Sequence, residues 1–169
     1  MDYKRLLTKV EKTVEAIGGD EGVGSTVASI ATVITDNFRD ELGITGGRIY
    51  EARGDDSFEL VSRFGDDAQE GPLGIAVPRD YKAVELVLEN GIVVMGPSDP
   101  AFDPVLEARI GVRRFVAVAV GDGEYIVSFD VAPELSRDDI LFSLNLIRSV
   151  ITQQIRAQRT ARNHRTEGV

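Results

Sequence analysis

The chain contains no cysteine and no tryptophan, and its single histidine, His164, sits in a polar tail. Without cysteine there is no disulfide, no thiolate nucleophile and no Cys-ligated metal. One histidine outside any apolar segment also excludes most histidine-based catalysis and His-rich metal sites, so no metal centre is expected. No apolar stretch approaches the roughly 20 residues that span a bilayer. The amino-terminal MDYKRLLTKVEKTVEA carries charges throughout and lacks the apolar core of a signal peptide. Basic residues are scarce, 19 against 28 acidic ones, and the net charge of −9 has the wrong sign for a domain that binds nucleic acid. These absences point to a soluble, cytoplasmic chain with no membrane partner and no direct nucleic-acid binding. What is present is ordinary: 43% hydrophobic and 28% charged residues over 169 positions, enough for one domain with its own core.

Hydrophobic spacing sets out the elements. Tyr3, Leu7, Val10, Val14 and Ile17 recur in steps of four and three, a narrow helical seam that stops at Gly18-Gly19. A second helix is expected from about Ser25, read as its N-cap, to Leu42, with Val27, Ile30, Ile34 and Phe38 on one side. Arg48–Arg53 and Phe58–Phe64 read as a hairpin around Gly54-Asp55-Asp56-Ser57. Ile75-Ala76-Val77 and Ile92–Met95 read as short strands, with a helix over Tyr81–Glu89, capped by Asp80, between them. Ser98-Asp99-Pro100 reads as the cap of a short helix reaching Ile110. Phe115–Val120 and Glu124–Val131 flank Gly121-Asp122-Gly123, the central hairpin of a sheet covered on both faces. Ser136-Arg137-Asp138-Asp139 opens the last helix, whose seam is Ile140, Leu144, Ile147, Ile151 and Ile155. Beyond it the pattern turns basic, with Arg156, Arg159, Arg162 and Arg165. Helices at both ends and antiparallel hairpins between them define an α+β layer architecture. The expected division is 1–24 as helix and connector, 25–155 as the domain, and 156–169 as a polar, basic tail or linker.

Most motif candidates reduce to structure. Gly18-Gly19-Asp20-Glu21 matches the signature of diguanylate cyclases but stands between two helices, where it reads as a connector. The glycines at 19, 22 and 24 follow no strand, and no glycine precedes a lysine, so neither dinucleotide fingerprint nor P-loop is present. The paired carboxylates Asp55-Asp56, Asp66-Asp67 and Asp138-Asp139 lie in turns and a cap and lack the spacing of a calcium loop. Two serines interrupt apolar strands, Ser62 in LVSRF and Ser128 in IVSF, as pocket-orienting groups do.

The stretches ITGGRIYEARGDDSFELVSRFG (44–65), GIAVPR (74–79), LENGIVVMG (88–96) and PSDPAFDPVLEARIGVRRFVAVAVGDGEYIVSFDV (97–131), in that order, resemble a GAF domain over about residues 25–155. The amino-terminal sensor modules of bacterial enhancer-binding transcription regulators are the nearest likeness. The resemblance implies a central antiparallel sheet of five or six strands, terminal helices packed on one face, and a pocket formed over the other by residues 66–111. Ser62, Phe64, Tyr81, Met95, Phe102 and Ser128 are expected to line or border that pocket. The absence of cysteine excludes a covalent bilin and the thiol chemistry of GAF-fold free methionine sulfoxide reductases, and the lone tail histidine argues against haem. The cofactor stays unknown.

The sequence thus reads as a non-catalytic sensor with no catalytic residue, binding a small molecule and signalling through its terminal helices to an output domain in transcription regulation. The alternative is a dimerisation scaffold with a vestigial, ligand-free pocket. A homodimer is expected through Leu7, Val10, Val14, Ile17, Ile151 and Ile155, because the first seam precedes the GAF-like stretch.

Overall fold

The computed structural model describes residues 2–17, 22–54, 56–69, 71–112, 114–132 and 137–167. Helices α1 (Tyr3–Ile17) and α2 (Val23–Leu42) lead into a hairpin of β1 (Ile44–Arg53) and β2 (Ser57–Gly65). A 3-10 turn at Asp66–Gln69 precedes β3 (Ala76–Pro78), α3 (Lys82–Asn90), β4 (Ile92–Met95) and α4 (Pro104–Ile110). The chain ends with β5 (Phe115–Val120), β6 (Tyr125–Val131) and the 31-residue α5 (Arg137–Glu167).

Six strands form one sheet in the order β3-β2-β1-β6-β5-β4, with every neighbouring pair antiparallel. The period-2 alternation of its strands builds two cores. Ile49, Phe64, Val116, Val118, Val127 and Phe129 pack under α1, α2 and α5, against Leu6, Ile30, Ile34, Leu144, Ile147, Ile151 and Ile155. Tyr50, Phe58, Leu60, Met95, Phe115, Ala117 and Ile126 face the other way, against Val84 and Val87 of α3 and Ile110 of α4. The expected α+β sheet with terminal helices on one face is what the chain forms.

Several local expectations move. α2 starts at Val23 with Gly22 at its N-cap, so Ser25 lies inside the helix. Tyr81, not Asp80, stands at the N-cap of α3. The cap of α4 is Asp103, whose carboxylate accepts from the Val105 and Leu106 amides at 3.0 and 3.1 Å, with Pro104 supplying the fixed φ of a first helical residue. Ser98 is not a cap there. The connector Gly18–Glu21 and Ser136 lie outside the described residues.

The seam of α1 also behaves differently from the expectation. Leu6, absent from the expected seam, is fully buried, and Tyr3 packs against the same core, so α1 lies on α2 and α5 of its own chain. Leu7 is half-buried; the side chains of Val10, Val14 and Ile17 lie outside the described residues. Ile151 and Ile155 are 0% exposed within the single chain and belong to its core, which withdraws them from any interface. They point inward because β5 and β6 already offer that helix an apolar face. Among the described residues, no helix is long and apolar enough to cross a membrane.

Candidate functional site

The outer face of the sheet carries a cavity lined by Tyr50, Phe58, Tyr81, Val84, Glu107, Phe115, Ala117 and Ser128, among others. Its volume is about 40 Å³. One liquid water takes up roughly 30 Å³ and a cavity of about 150 Å³ accepts a benzene, so the guest this space suits is small. β1, β5 and β6 form its floor, α3 and α4 its walls.

Two of the six expected pocket residues, Tyr81 and Ser128, line this cavity; Met95 and Phe102 belong to the apolar cluster around it. Ser62 and Phe64 do not. Ser62 pairs with Ile49, and Ile49 pairs with Val127, both on the helix-covered face. Phe64 packs edge-on against Phe129 on that same face, with ring centroids 5.6 Å apart. Ser128 pairs with Arg48 and Ala117 on the cavity face. Ser62 and Ser128 therefore face opposite sides of the sheet, which removes Ser62 and Phe64 from the site. A register shift between Ile49 and Tyr50 inserts Val61 as an extra residue, and alternation counted from the sequence does not see it.

The polar residues that organise this side come mostly from positions the sequence reading passed over. Arg48, 0% exposed, donates through Nη2 to Asp130 Oδ1 at 2.6 Å and to Ser128 Oγ at 3.2 Å, and its Nη1 lies 3.2 Å from Asp67 Oδ2. Its Nε has no partner. Desolvation pulls the Arg48 pKa down, but the hydrogen bond of Asp130 together with the charges of Tyr50, Asp130 and Asp67 outweighs it, and the guanidinium is held above its ordinary value. Arg63 donates to Asp67 Oδ2 at 2.9 Å and to the carbonyls of Pro72 and Ile110 at 3.1 Å, tying β2 to α4. Burial pushes the Tyr50 phenol up to about 12, partly offset by Arg48.

Glu107 is the acid of the cavity itself. It is 5% exposed and accepts from the Tyr81 hydroxyl at 3.0 Å. Burial raises its pKa to about 6 against the opposing hydrogen bond from Tyr81. Its sequence signal was present: Glu107 and the apolar Ile110 stand three apart on one face of a short helix. Arg48 and Asp130 are visible in the sequence as charges within strands, but their pairing depends on the strand order. Among the described residues, no group of His, Cys, Asp or Glu has the arrangement of a metal site.

The basic residues after Ile155 are more than a solvated end. Arg156 pairs with Asp122 at 2.7 Å and Arg159 pairs with Glu124, so α5 is fastened to the β5–β6 turn. The side chains of Arg162 and Arg165 lie outside the described residues.

No protein-family model and no curated protein matches the sequence. Solved structures do match its fold. A free methionine-R-sulfoxide reductase from Neisseria meningitidis, in complex with its substrate, is 20% identical with a TM-score of 0.67, over 94% of this chain and 91% of that one. The phycoerythrobilin-bound GAF domain of a cyanobacterial phytochrome is 17% identical with a TM-score of 0.60, over 97% and 99%. A methyl-accepting chemotaxis protein is 15% identical with a TM-score of 0.62, over 92% and 98%. The chain has the GAF fold. The narrower likeness to enhancer-binding regulators is not carried by these comparisons.

The reading of the chain as a non-enzyme is corrected here. Two of the matched structures are such reductases, so the fold houses catalysis as well as sensing. The lack of cysteine restricts only cysteine chemistry.

Proposed function

We propose that the chain is a regulatory sensor module, which takes a small molecule into the cavity and passes its occupancy through β5 to α5. The observation that carries this reading is the two-sidedness of β5. Ala117 lines the cavity, its neighbours Val116 and Val118 pack under the helices, and Arg148 of α5 donates through Nε to the Ala119 carbonyl at 2.9 Å. A ligand that displaces Ala117 must also load the strand to which α5 is bonded, and so favours one packing of helix on sheet over another. At about 1.5 Å per residue, the 31 residues of α5 span roughly 46 Å, and its last 12, 156–167, run on past the apolar seam.

Signalling proteins with the same fold support a sensing role. Transcription regulation as the output, a cytoplasmic location, a homodimer, and the division at 24/25 and 155/156 belong to the same proposal. A second reading, a scaffold whose pocket is vestigial, draws on the small volume of the cavity.

The test is a thermal-shift screen of metabolites on the native chain and on an Ala117→Leu variant that fills the cavity. A ligand bound only by the folded state adds about 2.7 kcal/mol at 100 times its Kd, several degrees for a chain of this size. The sensor reading expects that shift in the native chain, its loss in A117L, and slower amide exchange in α5 on binding. A ligand that shifts both chains equally, or none that shifts either, favours the scaffold.

A further inference from the structure

We infer that the cavity takes a small alkylammonium cation, an inference that rests on the sensor reading of the same site. Charge accounting leads to it. Behind the cavity Arg48 and Arg63 meet Asp67 and Asp130 at 2.6–3.2 Å, two cations for two carboxylates. Glu107 is the carboxylate left over. Among the described residues no ion pair reaches it, and the Tyr81 hydroxyl is the donor it has. The charged and titratable groups that face it are Tyr81 from α3, Arg48 and Tyr50 from β1, Asp130 from β6, and Asp103 at the head of its own helix. Of these, Tyr81 and Arg48 favour its ionised form, while Asp103 and Asp130 oppose it. Burial outweighs the help, and an ionised Glu107 remains a charge short of a counter-ion.

The rest of the lining suits the same ligand. Tyr50, Tyr81 and Phe115 stand around the space that Glu107 enters, with Phe58, whose ring already carries the Arg79 guanidinium 5.0 Å from its centroid, behind them. Aromatic faces carry a negative quadrupole and attract ammonium groups, most strongly where water is excluded. Among the described residues neither Arg48, Arg63 nor any other cation lines the cavity, so an anion would meet a carboxyl and aromatic rings there. A neutral guest would leave Glu107 uncompensated above pH 6. The volume, about 40 Å³, restricts the guest to a small one, since a cavity of roughly 150 Å³ is what takes a benzene. The aliphatic lining by Val77, Val84, Val87 and Ile126 suits a short alkyl chain behind the charged end.

Three probes of one size, n-propylammonium, 1-propanol and acetate, separate the possibilities when titrated into the full chain at about pH 7.5 and followed by NMR. n-Propylammonium is expected to bind roughly tenfold or more tighter than either of the others, with Glu107→Gln losing that preference. Its binding is expected to weaken as pH falls through 6, because protonation removes the counter-charge, and near pH 6 to release protons in calorimetry across buffers of different ionisation enthalpy. Proton release and pH dependence are read on the native chain, so they decide the matter even if the variant does not fold. Equal or tighter binding of 1-propanol or acetate overturns the cation class and leaves the sensor reading standing. Binding of none of the three also overturns it, and the sensor reading is then judged by the metabolite screen and A117L.

Discussion

Tyr81, at the head of α3, donates its hydroxyl proton to Glu107 Oε1 at 3.0 Å and accepts the Asp103 amide at 3.0 Å with the same oxygen. One phenol therefore fixes the cap of α4 and the carboxyl on its inner face. Tyr81→Phe keeps the ring and removes both bonds. The expected cost is about 1–3 kcal/mol, since water can reach the freed Asp103 amide but the buried Glu107 carboxyl loses the donor it has. The Glu107 pKa should rise further above 6, since the lost hydrogen bond favoured its charged form. A carbon-detected titration of the Glu107 carboxyl reads this directly, and an unchanged or lower value contradicts the contact.

Glu107 also imposes a pH dependence on stability. Its folded pKa of about 6 lies above the ordinary 4.5, so between those values the folded chain holds more protons than the unfolded one. Its contribution is therefore complete below about 4.5 and lost as pH rises through 6. A difference of about 1.5 pKa units is worth roughly 2 kcal/mol. Glu107→Gln should be more stable than the native chain by about that amount at pH 7.5 and nearly equal to it at pH 4. Urea unfolding at the two pH values checks this, and a difference of the same size at both would refute it.

Arg48 should be the most sensitive charge in the chain. It is sealed between strands with Asp130, Asp67 and Ser128, and removing one member of a buried pair strands the others. Arg48→Met is expected to cost about 3–5 kcal/mol. Adding Asp130→Asn to that variant should cost much less than it does alone, because its partner is already gone. Additive costs in a double-mutant cycle by denaturant unfolding would place the two residues out of contact.

The legible part of this chain was what periodicity controls. The strands Ile92–Met95 and Phe115–Val120 follow directly from apolar runs bounded by glycine, and the fold order follows from helices at both ends with hairpins between. The site was less legible because alternation fixes which residues share a face only while the register is unbroken. The extra residue at Val61 breaks it, and so Ser62 and Ser128, alike in sequence context, part company across the sheet. Pairwise charge needs the strand order as well: Arg48 and Asp130 are 82 residues apart and meet because β6 lies beside β1. Glu107 needed only the helical spacing that puts it beside Ile110.

Gly47 marks a place where two strands come too close for a side chain. A Cβ there would overlap the Ser128 carbonyl oxygen, which is backbone and cannot swing aside. It would also meet the Phe64 ring at 2.7 Å. Gly47→Ala must push β1 from β6 in the middle of the sheet, and the expected loss is about 3 kcal/mol or more. Gly22→Ala, with nothing within 4 Å of its added Cβ, is the control and should change stability by under about 1 kcal/mol. Thermal unfolding of the pair checks the contrast.

The proposed homodimer now rests on different residues from the seam that suggested it. Ile151 and Ile155 are inside the chain's own core, and Leu6 holds α1 onto the domain. Among the described residues of the helix layer, the large apolar side chain left outside is Phe142 of α5, 55% exposed, with the Tyr3 ring edge-on at 4.8 Å. A two-fold axis through this patch would bring the same aromatic pair of each chain together, the arrangement of an isologous contact. Phe142→Glu should then give a folded monomer, with thermal stability close to that of the native chain because little buried area is lost. Ile151→Glu is the opposite case: it places a charge among Leu144, Ile147 and Ile155 and should unfold the chain instead of dissociating it. Sedimentation and circular dichroism separate the two effects. A native chain that is monomeric at high micromolar concentration, or an F142E chain that still dimerises, rules out this interface.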